Sequence, residues 1–122
     1  MTINKILAFD AFTCALMGMV LVLAGPALAT LLALPQDLLL YAGYLLLPIA
    51  AFMAAMAWRP VPAGVWLIIL GNLAWVLASA IVLFTTGPNA FGAVFLVLQA
   101  LAVALLGLAE FKFNARRAVG IA

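Results

Sequence analysis

Apolar residues fill this chain in four long stretches, at about 6–31, 38–57, 61–84 and 91–111, each closed by a short polar interruption. A membrane-spanning helix needs about 20 predominantly apolar residues at about 1.5 Å each, and all four stretches meet that length. They are continuous and rich in Ala and Leu, without the in–out alternation of a barrel strand. The interruptions carry turn chemistry. Leu34-Pro35-Gln36-Asp37 ends the first stretch, with Asp37 suited to cap the next helix. Arg59-Pro60-Val61-Pro62 follows the second, proline being at home in a helix's first turn. Thr85-Thr86-Gly87-Pro88-Asn89 follows the third. Because the links are short, sequential helices are expected to be antiparallel neighbours.

Composition reinforces this reading. Of 122 residues, 71% are hydrophobic and 7% charged, whereas a soluble domain is charged at about a quarter of its positions. The basic residues Lys5, Arg59, Lys112, Arg116 and Arg117 lie at the N-terminus, the second link and the C-terminal tail. The positive-inside rule puts all of these on the cytoplasmic side. The expected fold is therefore all-α, a single-domain integral membrane four-helix bundle of antiparallel up-down topology, N-in and C-in, in a bacterial-type inner membrane. Ala27-Leu28-Ala29 has the small residues of a signal cleavage site. Asp10 interrupts the start of that apolar run, however, and the run exceeds a signal's core, so a retained helix is expected.

In lipid, close backbone approach and interhelical hydrogen bonds decide packing. Small residues should mark the contact faces: the stripe Ala11, Ala15, Gly18, Val22, Gly25 and Ala29 in the first helix, and Gly43, Ala50, Ala51, Ala54 and Ala55 in the second. The third offers Gly64, Gly71, Ala74 and Ala78, and the fourth Gly92, Ala100, Ala104 and Gly107. Pro26 and Pro48 fall inside the first and second helices and should bend them.

Candidate chemistry is sparse. There is no histidine, Cys14 is the lone cysteine and only three carboxylates exist. A Ser-His-Asp triad, a His-built zinc site and His-ligated haem are excluded, and neither a metal nor a cofactor is expected. Asn72 and Gln99 should lie near the bilayer centre, where they either bond each other as interhelical glue or form a polar spot for a ligand. Trp75 and Ser79 share the Asn72 face, and the deep Trp75 indole requires an acceptor. Tyr44 joins Asn72, Trp75 and Gln99 as a candidate pocket residue; at the outer start of the second helix Tyr41 and Tyr44 either fit an aromatic belt or, with Pro48 on the same face, line an outer-leaflet pocket. Asp10 and Glu110 lie at equal depth, about a turn inside the cytoplasmic edge. Intramembrane ionisable residues are functional suspects. The two readings are ion pairing with Lys5, Arg59 or Lys112 at the inner rim, and a proton- or cation-binding rim. Trp58 and Trp66 fit an interfacial aromatic belt, and the basic tail should contact anionic lipid.

In size and helix number the chain resembles the small multidrug-resistance transporters, which carry a membrane-embedded glutamate in the first helix. Here that helix holds Asp10 and no motif is shared, so the resemblance implies the outline and no activity. The functional expectation is a non-enzymatic scaffold or accessory protein acting through helix contacts, as a homo-oligomer or with a larger membrane-protein partner. The alternative is a binding protein or small transporter for a lipid-like or amphipathic molecule. Membrane lipids are expected partners. Nucleic acid is not, since no soluble basic domain exists to carry it.

Overall fold

The computed structural model describes residues 2–118, with side chains as far as Ala115. The described residues form α1 (Ile3–Leu23), α2 (Gly25–Leu32), α3 (Gln36–Trp58), α4 (Pro62–Thr86) and α5 (Ala90–Ala118). Four of these, α1, α3, α4 and α5, are long and apolar enough to cross a membrane. Expectations for the Arg116 and Arg117 side chains lie outside the described residues.

The first apolar stretch is two helices, not one bent helix. Ala24 leaves helical geometry (φ −110, ψ 15), and Pro26 falls in the first turn of α2, where no backbone donor is required. Pro48 stays inside α3. Asp37 sits in the first turn of α3 without making a cap hydrogen bond, and the N-cap is Pro35; the carboxylate there still complements the helix dipole. At the other link Gly87 ends α4 with φ 61, a left-handed conformation that glycine adopts without a Cβ penalty. Asn89 opens α5: its Oδ1 accepts from the Gly92 N–H at 2.8 Å, and its Nδ2 donates to the Leu31 carbonyl at 2.8 Å. One side chain thus caps α5 and pins it to α2.

Packing follows the small-residue faces only in part. α1 lies along α3, and at their crossing Gly18 meets Gly43. A Cβ on Gly43 would stand 2.9 Å from the Gly18 carbonyl oxygen, so any side chain there forces the backbones apart. Asn4 adds a bond from its Nδ2 to the Ala57 carbonyl at 2.8 Å. α4 lies along α5, with Trp66 edge-on to Phe111 (centroids 5.6 Å apart). The two pairs join where α5 meets α1 and α2, whereas α3 and α4 touch only near their link, where Gly64 backs onto Met56 and Phe52 and Met53 packs with Val65 and Ile68, and part beyond it. Sequential neighbourhood therefore holds near the link and fails along the rest of this seam. The reason is visible in the stripe assigned to α4: nothing stands within 4 Å of a Cβ built on Gly71, Ala74 is exposed, and Ala78 borders open space. Ala51, Ala54 and Ala55 of α3 are likewise exposed.

The buried apolar residues form two clusters. One, at the end where α1 begins and α5 finishes, is built on Leu7, Met53, Val65 and Ile68; the other, at the opposite end, on Leu21, Leu32, Leu39 and Leu96.

Candidate functional site

Three helices bring one polar side chain each to a common point. Asn72 of α4 donates from Nδ2 to Glu110 Oε1 of α5 at 2.6 Å and to Asp10 Oδ2 of α1 at 3.2 Å. Cys14, one turn along α1, lies with its Sγ 3.8 Å from Asp10 Oδ1, as a thiol donor. Asp10 is 2% exposed and Glu110 0%. The second Glu110 oxygen, Oε2, is sealed and has no hydrogen-bond partner. Gly107, one turn before Glu110, presents its backbone to Asn72, whose Cβ is 3.4 Å from a Cβ built there.

This placement corrects two expectations. Asn72 does not bond Gln99; its amide bridges carboxyls on two other helices. Nor do Asp10 and Glu110 pair with Lys5, Arg59 or Lys112. Those three cations are exposed, and the carboxyls' partners among the described residues are an amide and a thiol. The carboxyls are deeper than one turn because α1 begins at Ile3 and α5 continues to Ala118, which adds about one turn outside Asp10 and about two outside Glu110. At 1.5 Å per residue both lie about 10 Å inside their helix ends.

Gln99 belongs to a second polar group, nearer the end opposite the termini. Its Oε1 accepts from the Trp75 indole N–H at 2.7 Å, and its Nε2 donates to Ser79 Oγ at 2.6 Å. Ser79 in turn donates to the Trp75 carbonyl at 2.8 Å. The deep tryptophan finds its acceptor, and α4 and α5 are tied along two levels.

Both groups border the α3–α4 seam. The gap holds two partly enclosed cavities. The upper, of about 330 Å³, is lined by apolar residues of α1, α3, α4 and α5, with Tyr41, Ser79 and Gln99 among its few polar groups. The lower, of about 480 Å³, runs past Pro48, Gly71 and Met53 to Cys14 and Asn72. Leu45 and Trp75 border both. Of the candidate pocket residues, Asn72, Trp75 and Gln99 therefore line the seam, in two compartments. Tyr44 lines neither and is exposed. Arg59 caps α3 at the end carrying the termini, away from the carboxyls. Among the described residues no group of three or more His, Cys, Asp or Glu is placed to hold a metal ion.

The convergence of Asp10 and Glu110 on Asn72, and the part of Cys14, are what sequence reasoning missed. The available signal was depth measured from one end: the three polar residues lie within about a turn of the same level. Comparison of the chain with protein-family models, with curated proteins and with solved structures finds no match. The small all-helical fold and its membrane-spanning-like helices therefore stand on geometry alone.

Proposed function

We propose that this protein is a four-span inner-membrane protein, both termini cytoplasmic, that binds a lipid-like or amphipathic molecule in the seam between α3 and α4. The observation that carries this reading is the seam itself. Two helices joined by a short link leave between them cavities of about 330 and 480 Å³, within the size range of small-molecule sites. The walls are apolar, with polar atoms at a few points, as suits a chain with a polar head. The occupant reaches it sideways, from the bilayer. Lys5, Arg59 and Lys112 at one end of the bundle support the cytoplasmic orientation.

The scaffold reading has one observation in its favour: the small residues Gly71, Ala74 and Ala78 face the seam, where a partner helix could approach closely. A helix is about 10 Å across and needs an uninterrupted trough, and Leu45 and Trp75 stand between the two compartments. Two ligand-sized spaces fit a small amphipath better.

The test uses protein with Trp58→Phe and Trp66→Phe, which leaves Trp75 as the sole indole. Quenching by a brominated monoacylglycerol, added at low mole fraction to an unbrominated bilayer, should saturate. Gly71→Phe, which fills open space, should abolish the saturable part while the protein remains folded. Quenching that rises only linearly with probe, equal in both proteins, refutes the binding reading. Native mass spectrometry showing a dimer with Trp75 shielded supports the scaffold instead.

A further inference from the structure

We infer that Asp10, Asn72 and Glu110 form an intramembrane proton-binding site in which the two carboxyls share one exchangeable proton, linked through Asn72 to the lower cavity. The linkage, though not the proton site, rests on reading the seam as a binding site.

The argument begins with charge. Two carboxyls hydrogen-bond the same amide nitrogen, at 2.6 and 3.2 Å, and both are almost wholly removed from solvent. Two adjacent anions there would each carry the desolvation penalty of a buried charge, with mutual repulsion added. The groups facing them do not relieve it. α1 presents the neutral Cys14 thiol and α4 the neutral Asn72 amide, and on the α3 side the apolar Met53 lines the cavity that Cys14 and Asn72 border. Lys5, Arg59 and Lys112 point their side chains to the surface. A proton is the smallest charge that neutralises the pair. A metal cation would draw an amide's carbonyl oxygen toward itself, whereas Asn72 turns its donor nitrogen to both carboxyls.

The hydrogen bonds also say where the proton resides. Asp10 accepts on both oxygens, from Cys14 and from Asn72, and is the better-supported anion. Glu110 accepts on Oε1 only, and its buried Oε2 lacks a partner. A hydroxyl at Oε2 removes the unsatisfied anionic oxygen, and the Asp10 carboxylate, held on the same Asn72 nitrogen, is the neighbouring acceptor for it. Release of the proton leaves both carboxyls anionic behind Asn72, which itself lines the lower cavity. Buried anions recruit water, so proton loss should expel an apolar occupant.

Two measurements test this on the full-length protein. Dicyclohexylcarbodiimide enters apolar regions and adds to protonated carboxyls. The wild type should take one adduct per chain, mapped by mass spectrometry to Glu110, with incorporation falling as pH rises; Glu110→Gln should nearly abolish it. No adduct at any pH, or two per chain, overturns the shared proton. Should Glu110→Gln fail to fold, the wild type alone decides: the infrared band of a protonated carboxyl must be present, shift on deuterium exchange and vanish in alkali. Its absence is equally fatal.

For the linkage, brominated monoacylglycerol, neutral at every pH used, should quench Trp75 with an apparent affinity that weakens by roughly fivefold or more from mildly acid to mildly alkaline pH. Asp10→Asn should flatten that dependence. Saturable but pH-independent quenching overturns the linkage and spares the binding site. Quenching that never saturates removes the binding reading and the linkage together, and the carbodiimide result still decides the proton site.

Discussion

Asn72 does at one nitrogen what two ordinary interhelical bonds would do separately, holding α1 and α5 against α4. Replacing it with Leu leaves two buried acceptors without their donor, a loss of about 1–3 kcal/mol. Thermal unfolding in detergent should show Asn72→Leu lowered by that amount. Gln99→Leu should cost less, about 0.6–1.7 kcal/mol, the range for hydrogen bonds between membrane helices, because only the α4–α5 pair is touched. The polar residues were conspicuous in the sequence simply by being polar in apolar runs, and the need of Trp75 for an acceptor followed from its depth. Their pairing was not legible. An Asn72–Gln99 bond satisfies both amides equally well on paper. What selects against it is helix register: α4 and α5 bring Gly107 and Glu110 opposite Asn72, and Gln99 opposite Trp75 and Ser79.

At the scale of elements, glycine has two opposite meanings in this bundle. At Gly43 a side chain would meet the Gly18 carbonyl and the Leu21 and Val22 side chains at 2.9 Å. Gly43→Val should therefore lower stability by about 1–3 kcal/mol through overpacking. At Gly71 the neighbourhood is empty, and Gly71→Ala should be neutral or stabilising by up to about 1 kcal/mol through helix propensity alone. Chemical denaturation in mixed micelles distinguishes the two. The four apolar stretches and their links were legible because continuous hydrophobicity over a bilayer's width admits few other structures. Which small-residue stripe packs was not legible: a stripe permits close approach without naming the partner, and the one on α4 borders a space. Nor did the apolar run betray the break at Ala24, since Pro26 serves equally well bending one helix or opening another.

For the whole molecule, the orientation proposed from the basic residues makes a direct claim. In a Cys14→Ala background, cysteines introduced at Arg59 and at Asn89 should react with an impermeant maleimide from opposite faces of the membrane, Arg59 from the cytoplasmic one. Reaction of both from one face would remove the four-span arrangement.

Because α1–α3 and α4–α5 are each tightly joined, and meet mainly where α5 contacts α1 and α2, the protein resembles a folder with its spine on one side and its edges at α3 and α4, stitched at one end by Met53, Val65 and Ile68 and free beyond. Widening the mouth would then require no helix to unfold, only a rotation of one leaf against the other, with Asn89 clasping one end of the spine to α2. A cross-link spanning the two edges at the level of Leu45 and Trp75, which border both cavities, would hold the folder shut.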